Sequence, residues 1–191
     1  MLYRSILKNM NKNRYCIGTL VNGKNHIKIY KHKKNNISSE RLNQIIIDVE
    51  KRLPKNHLNY IKNISFYSSA YRHTNDVNGE ACAPVIMNRK IIIKLYLNKK
   101  NNDNQFKSIL MHEIGHTIFP KYEKRFINLI NYNCKMNKEF ENKMNYAVNK
   151  LKYLGYKEDD FGCELFANGY TNKFFFHTNG LLDKLVSKVI G

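Results

Sequence analysis

Hydrophobic and polar residues alternate over two stretches near the start of the chain, residues 15–21 and 26–31. A period of two is typical of β-strands, and the Asn22-Gly23 pair between the stretches suits a tight turn that needs positive φ. The pattern therefore predicts a β-hairpin. Apolar runs at residues 61–67 and 91–97 predict two more strands, and the second is expected to be an edge strand that a substrate peptide could extend.

Most other apolar residues recur at helical spacing. Pro120 is expected to end the predicted helix that begins near residue 103, because proline lacks the amide hydrogen that a helix needs. Short polar residues that can cap an N-terminus precede three helices, at Ser38 or Ser39, Asp103 or Asn104, and Asp159 or Asp160. The predicted helices cover residues 38–53, 103–120, 121–133, 138–152, 161–175 and 181–190.

These elements predict an α+β chain in which a small mixed sheet is covered on one side by helices. At 191 residues, one domain is the simplest organisation. We assign residues 1–37 to an N-terminal basic segment with the hairpin and residues 38–191 to the main domain. Both are expected to form one structural unit, and the protein is expected to be a monomer.

The chain is strongly basic: Lys and Arg outnumber Asp and Glu by 33 to 15, which gives a formal net charge of +18. Such a charge attracts nucleic acid, anionic membranes or acidic substrates. Lysine, asparagine and isoleucine are, however, abundant from end to end, which is also the pattern that an AT-rich genome imposes. Nucleic-acid binding is therefore the less favoured interpretation of the charge.

Four scattered cysteines form no CxxC pair, so the sequence indicates neither a zinc ribbon nor a dense disulfide framework. They are expected to be small buried apolar residues. The apolar runs are too short for a signal peptide or a membrane-spanning helix. We therefore expect a chain without a transmembrane segment that is cytoplasmic by default or exported by a leaderless route.

The segment from His112 to His116 reads HExxH and carries the most specific chemistry in the chain. In a helix its two histidines lie one turn apart on one face, so both imidazoles can reach one metal ion, while Glu113 projects beside them towards a water. A catalytic zinc site takes three protein ligands and leaves a fourth position to water. The alternative interpretation is a buried histidine pair on a structural helix. Gly115 disfavours the helix, which indicates that another element packs closely there.

A third protein ligand is needed to complete such a site. Met-turn proteases would carry their third histidine at position 122, where this chain has tyrosine, so that class is excluded. Glu139 and Glu141 lie on a polar stretch typical of solvated residues, and Glu123 is too near the helix end to fold back. Glu164 lies among apolar residues of a helix that should be buried, where a carboxylate needs a partner.

An HExxH motif followed after some 48 residues by Glu-Leu-Phe-Ala at 164–167 resembles the anthrax lethal factor-like gluzincins, which include the clostridial Pro-Pro endopeptidases. The resemblance implies a compact zincin fold and one Zn²⁺ per chain. It also implies that His112, His116 and Glu164 are the metal ligands and that Glu113 is the catalytic base.

The resemblance covers about residues 38–191, with two departures from the family pattern. Asn168 stands where the family has a second acid, which changes the surroundings of the glutamate ligand. The family also places a tyrosine about seven residues before this ligand to donate to the developing oxyanion, whereas Tyr156 is eight before it. We assign Tyr156 this role, with Tyr153 and His177 as alternatives.

The sequence thus predicts a zinc metallopeptidase, a hydrolase that acts on a peptide or protein substrate. One alternative is a DNA-associated zinc protease of the SprT-like kind, which would use the positive charge, although its usual zinc ribbon is absent and Glu164 would be unexplained. A second alternative is a basic nucleic-acid-binding protein with a degenerate HExxH motif, although the chain shows no RNA-binding aromatic signature or zinc-finger spacing.

Overall fold

The computed structural model describes residues 13–22, 24–68, 79–82, 91–97 and 102–191. In this part of the chain, strands and helices form an α+β protein with a mixed sheet, as predicted. The chain divides into two compact units, residues 1–114 and 115–191, and the division falls inside one continuous helix.

The mixed sheet belongs to the first unit. Its strands are β1 (Arg14–Asn22), β2 (Asn25–His32), β3 (Ile61–Ser68), β4 (Gly79–Cys82) and β5 (Ile91–Leu97), in the order β1-β2-β3-β5-β4. β1 and β2 pair antiparallel, which confirms the predicted hairpin, although Gly23 lies outside the described residues. β2, β3 and β5 run parallel, and β4 pairs antiparallel with β5. The hairpin is therefore part of the same sheet as the later strands.

The prediction that residues 91–97 form an edge strand is wrong. β5 pairs with β3 on one side and with β4 on the other, and β4 sets Gly79 opposite Leu95 and Cys82 opposite Ile92. Ile93 and Leu95 are fully buried, and a buried strand needs hydrogen-bond partners along both edges. The β5 backbone that a substrate peptide would have extended is occupied by β4.

Helix α1 (Ser39–Glu50) begins where its sequence predicts. The Ser38 side chain accepts a hydrogen bond from the Arg41 amide and so caps the first turn. The Asn43 side chain donates to the Ile17 carbonyl at 3.1 Å, beside an irregularity in β1, and this contact attaches α1 to the hairpin. The apolar stripe of α1 is buried as predicted, at Leu42, Ile45, Ile46 and Val49. A short 3₁₀ helix, Lys55–Tyr60, leads into β3.

Helix α2 (Asp103–Met136) contains the HExxH motif. Asn102 caps it, rather than Asp103 or Asn104: its side chain accepts from the Gln105 amide at 2.9 Å, and the Gln105 side chain accepts from the Asn102 amide at 3.0 Å. This reciprocal pair is a capping box. The predicted capping residues suit the position equally well by residue type, so local sequence does not decide between them.

Two ion pairs attach the first turns of α2 to α1 within the first unit. The Asp103 carboxylate lies 2.6 Å from the Arg41 guanidinium, and the Lys107 ammonium lies 2.7 Å from the Asp48 carboxylate. Asp103 is therefore used in a contact between helices, which explains why it is not the cap. The pairs set the position of the helical segment that leads to His112.

The prediction that this helix ends at Pro120 is wrong. A proline inside a helix costs about 3 kcal/mol, because a backbone hydrogen bond is lost. Phe119 and Phe126 lie on either side of Pro120, are buried, and pack against Phe166 with ring centroids 5.5 and 5.2 Å away. This aromatic packing offsets the lost hydrogen bond, and local periodicity does not reveal it.

The second unit continues with α3 (Lys138–Tyr153), α4 (Phe161–Thr171) and α5 (Leu181–Ile190), close to the predicted bounds. A 3₁₀ turn, Glu158–Asp160, precedes α4, and Asp160 stands at its N-cap without a side-chain capping hydrogen bond. A π-helical turn, Asn172–Phe176, extends α4. Across the residues that the structure describes, none of the helices is both long enough and apolar enough to span a membrane.

Candidate metal centre

One turn of α2 brings His112, Glu113 and His116 together. The atoms with which these side chains could bind a metal all lie within 4.8 Å of one another. Because residues four apart are neighbours on a helix surface, this grouping follows directly from the spacing of the motif. The group could hold a metal ion, as the sequence predicts.

The turn that carries these side chains is deeply packed. Glu113 is 5% exposed, and both histidines are half-buried. A carboxylate at this depth responds strongly to a nearby charge, because little water is present to screen it. The apolar residues Leu110, Met111, Ile114 and Ile118 of the same stretch of helix are buried.

Gly115 allows α4 to lie very close to α2, as the sequence predicts. A Cβ at Gly115 would stand 2.9 Å from the Cα of Ala167 and 3.3 Å from the Cβ atoms of Ala167 and Tyr170. The neighbour at 2.9 Å is backbone, which cannot rotate away. Only glycine permits this approach, and the approach brings Glu164 of α4 alongside His116.

Glu164 lies beside His116 within the second unit. Its Oε1 atom is 3.3 Å from the Nε2 atom of His116, and the two side chains are 12% and 15% exposed. Two atoms bonded at about 2.0 to 2.1 Å to one tetrahedral zinc ion lie about 3.4 Å apart. The observed separation therefore fits two ligands of a single metal ion. It also provides the partner that a largely buried carboxylate needs.

His116 has a second neighbour, which the sequence analysis missed. The Sγ atom of Cys163 lies 2.8 Å from Nδ1, the other nitrogen of the ring. The prediction that the cysteines are buried is wrong for Cys16, Cys134 and Cys163, because Cys16 is exposed and the other two are half-buried. The signal in the sequence was the position of Cys163 directly before Glu164.

Of the other acids considered as ligands, Glu123 and Glu139 are exposed and Glu141 is half-buried. Glu139 pairs with Lys143 and Glu141 pairs with Lys138 on α3, at 2.5 and 2.7 Å. Exposed pairs of this kind contribute little to stability and leave the carboxylates accessible to water. Glu164, in contrast, is held against a histidine of the motif.

The predicted oxyanion residue and its alternatives lie in the second unit, at or after the ends of helical segments. Tyr156 follows α3 and is 40% exposed, whereas Tyr153 is 91% exposed at the end of that helix. His177 adopts a left-handed conformation, with φ of 53°, and is exposed. Asn168 is half-buried on α4, one turn after Glu164. The assignment of Tyr156 stays a prediction.

Aromatic rings pack behind Glu164 on α4. Phe166 stacks on Tyr122 and Tyr170, with ring centroids 6.4 and 6.2 Å away. Burial raises the pKa of Tyr170 well above its ordinary value, and the nearby Tyr122 raises it further. Tyr170 therefore stays protonated and serves to pack α4 against α2.

The structure thus brings His112, Glu113 and His116 together on one helix, and places Glu164 and Cys163 on opposite sides of the His116 ring. Comparisons of the chain with family models, curated proteins and solved structures find no match. Its function is therefore inferred from the chemistry of these side chains.

Proposed function

We propose that this protein is a zinc-dependent metallopeptidase of the gluzincin type. His112, His116 and Glu164 would hold one Zn²⁺ per chain, and Glu113 would be the general base. The observation that carries the proposal is the 3.3 Å separation between Glu164 Oε1 and His116 Nε2, because it joins the HExxH helix to the acid that the sequence selected. The resemblance of the motifs to lethal factor-like gluzincins supports the same assignment.

The set of donor atoms favours zinc. Imidazole nitrogens suit zinc, copper, iron and nickel, and two imidazoles with one carboxylate are a usual set for catalytic zinc. Three protein ligands leave a fourth position for water or substrate, which distinguishes a catalytic site from a closed structural one. A bound Zn²⁺ would act as a Lewis acid and make water acidic near neutral pH.

Glu113 is suited to move the proton in such a reaction. It directly follows His112, its carboxylate belongs to the same close group of atoms, and it is 5% exposed. In this role Glu113 accepts a proton from the attacking water and then donates it to the amine that leaves when the peptide bond breaks. Burial keeps bulk water from competing for that proton.

Tyr156 completes the proposed mechanism. Its hydroxyl would donate a hydrogen bond to the carbonyl oxygen of the scissile bond as negative charge develops there. Tyr153, the last residue of α3, and His177, which follows the π-helical turn, are the alternatives. The substrate is a peptide or protein by the nature of this chemistry, and β5 is not proposed to bind it, because β5 already pairs with a strand on each side.

Metal analysis and cleavage profiling of the full chain test this proposal. We expect about one zinc per purified chain, and hydrolysis of a peptide library that stops when the zinc is chelated and returns when it is restored. A Glu113→Gln preparation, purified in parallel, controls for contaminating proteases. A chain that binds no zinc, or that binds zinc but cleaves no member of a broad library, would contradict the proposal.

A further inference from the structure

We propose that Cys163 is a positioning residue for the metal ligand His116, acting through the ring nitrogen that does not face the metal. This inference rests on the proposed function. Cys163 and Glu164 are consecutive residues of α4 that contact opposite sides of one imidazole. Sγ of Cys163 lies 2.8 Å from Nδ1, and Oε1 of Glu164 lies 3.3 Å from Nε2.

The geometry assigns the two side chains to different roles. The nitrogens of an imidazole direct their lone pairs away from each other, so one ion bound at Nε2 is out of reach for a group that sits against Nδ1. Glu164 is on the Nε2 side and can share an ion with His116. Cys163 is on the other side, so its sulfur supports the ligand and does not join the coordination sphere.

This distinction matters because cysteine is itself a good zinc ligand. A site with two histidines, a glutamate and a cysteine would have four protein ligands, which is the composition of a closed structural site. Keeping the sulfur behind the ring leaves three ligands and one open position. The position of Cys163 against Nδ1 therefore leaves the fourth coordination position open, as a catalytic site requires.

A thiol can serve His116 both with and without a metal. In the metal-free chain, Nε2–H can donate to the Glu164 carboxylate, and Nδ1 can accept from the thiol of Cys163. When Nε2 binds a metal it loses its hydrogen, so the neutral ring carries its hydrogen on Nδ1 and donates to Sγ. Sulfur is a weak donor and a weak acceptor, so one side chain fits both tautomers.

The outer partner of a metal-bound histidine is usually a carboxylate, a backbone carbonyl or a water, and removing it typically costs about 10- to 100-fold in metal affinity or activity. Cys163 takes this place in the present chain. Alanine at position 163 removes both hydrogen-bonding functions, whereas serine retains a donor and an acceptor. The pair of substitutions therefore separates hydrogen bonding from packing.

The experiment measures zinc affinity by competition with a chelator for the full wild-type chain and for Cys163→Ala, Cys163→Ser and the control Cys134→Ala. We expect Cys163→Ala to bind zinc about 10- to 100-fold more weakly. We expect Cys163→Ser to recover most of this loss, and Cys134→Ala, which removes a half-buried thiol from the same unit, to match wild type. Equal affinity of Cys163→Ala and wild type would overturn the proposal.

Two measurements on the wild-type chain do not depend on how the variants fold. In the zinc-loaded protein, nitrogen NMR of the His116 ring should show a hydrogen on Nδ1 and metal at Nε2, and metal at Nδ1 would overturn the proposal. With Co²⁺ in place of zinc, a sulfur-to-cobalt charge-transfer band would show that a cysteine binds the metal. Cys163 is the cysteine in contact with His116, so this band would also overturn the proposal. If wild type binds no zinc, the proposed function fails as well. Equal zinc affinity of Cys163→Ala and wild type overturns only the role of Cys163 and leaves the proposed function standing.

Discussion

A Cβ atom on Gly115 would stand 2.9 Å from the Cα of Ala167, closer than side chains approach backbone in folded proteins. Gly115 lies one residue before His116, and Ala167 lies three residues after Glu164. The missing side chain therefore determines how closely α4 packs against α2 and where the carboxylate lies relative to the imidazole.

We predict that Gly115→Ala destabilises the protein and weakens zinc binding. Alanine favours an open helical position by about 1 kcal/mol over glycine, whereas overpacking a core typically costs about 1 to 3 kcal/mol. The backbone of Ala167 cannot rotate away, so the clash should exceed the gain. Urea unfolding of the metal-free protein and chelator competition would measure the two effects.

Gly162→Ala is the matched control for this prediction. A Cβ at Gly162 would also have a neighbour at 2.9 Å, but that neighbour is the flexible end of the Ile127 side chain. We expect Gly162→Ala to change stability by less than Gly115→Ala and to leave zinc affinity near wild type. Equal loss in both variants would show that the close contact at Gly115 has no special effect on the site.

The second prediction concerns Glu113. Glu113→Gln preserves the shape of the side chain but removes its ability to accept a proton, so kcat should fall by about 10²- to 10⁴-fold while about one zinc per chain is retained. Peptidase assays and metal analysis of the same preparation would measure both quantities. His112→Ala, which removes a proposed ligand, should lose zinc and activity together.

The exposed Glu139 supplies the control for this second prediction. Its side chain is 76% exposed and pairs with Lys143 on the surface of α3. Glu139→Gln should therefore leave zinc content and kcat unchanged. Full activity in Glu113→Gln would exclude Glu113 as the base, even if zinc is present.

Local rules predicted much of the fold. The Asn22-Gly23 pair indicated the hairpin, and Ser38 marked the start of α1. The errors lie where distant residues decide the outcome. Packing of Phe119 against Phe166 stabilises α2 in spite of Pro120, and β4 pairs with the strand that is predicted to be an edge strand. The spacing of residues along the chain predicts neither contact.

In the candidate site too, local spacing predicts some features, whereas others depend on contacts between distant residues. The grouping of His112 and His116 follows from helix geometry. Gly115 indicates that another element packs closely there, but the sequence does not show that this element is α4. The burial expected around Glu164 pointed to a carboxylate with a partner, and the partner is His116. Cys163 was missed because its role depends on which ring nitrogen it faces, and this is settled only when α4 packs against α2.

The third prediction tests Tyr156. If its hydroxyl donates to the developing oxyanion, Tyr156→Phe should lower kcat by about 10²- to 10³-fold, with a small change in KM and full zinc content. The loss should appear mainly in kcat, because the interaction strengthens as charge develops on the oxygen. Steady-state kinetics on the best peptide from the library would separate the two constants.

Tyr153→Phe is the natural comparison, because Tyr153 lies three residues away and is 91% exposed. It should behave as wild type. A loss of kcat in Tyr153→Phe or in His177→Gln, with Tyr156→Phe unaffected, would transfer the oxyanion role to that residue and contradict the assignment of Tyr156.

The fourth prediction concerns acid stability in the first unit. His32 is 1% exposed at the end of β2, and its Nδ1 atom accepts a hydrogen bond from the Lys34 amide at 3.2 Å, which requires an unprotonated nitrogen. Burial lowers the pKa of His32 below the ordinary value of 6.5, and the positive charge of Lys34 lowers it further. The folded state therefore binds this proton less readily than the unfolded state.

The sign of the effect follows from proton linkage. Because the folded pKa of His32 is depressed, its contribution to stability is fully present above 6.5, the value expected in the unfolded chain, and is lost as the pH falls towards the folded pKa. The free energy of unfolding, measured with urea on metal-free protein at about pH 7.5 and about pH 5.5, should be lower at the acidic pH. His32→Gln should flatten this dependence, whereas His26→Gln, on the exposed part of the same strand, should leave the slope unchanged. An unaltered slope in His32→Gln would show that other groups cause the acid sensitivity.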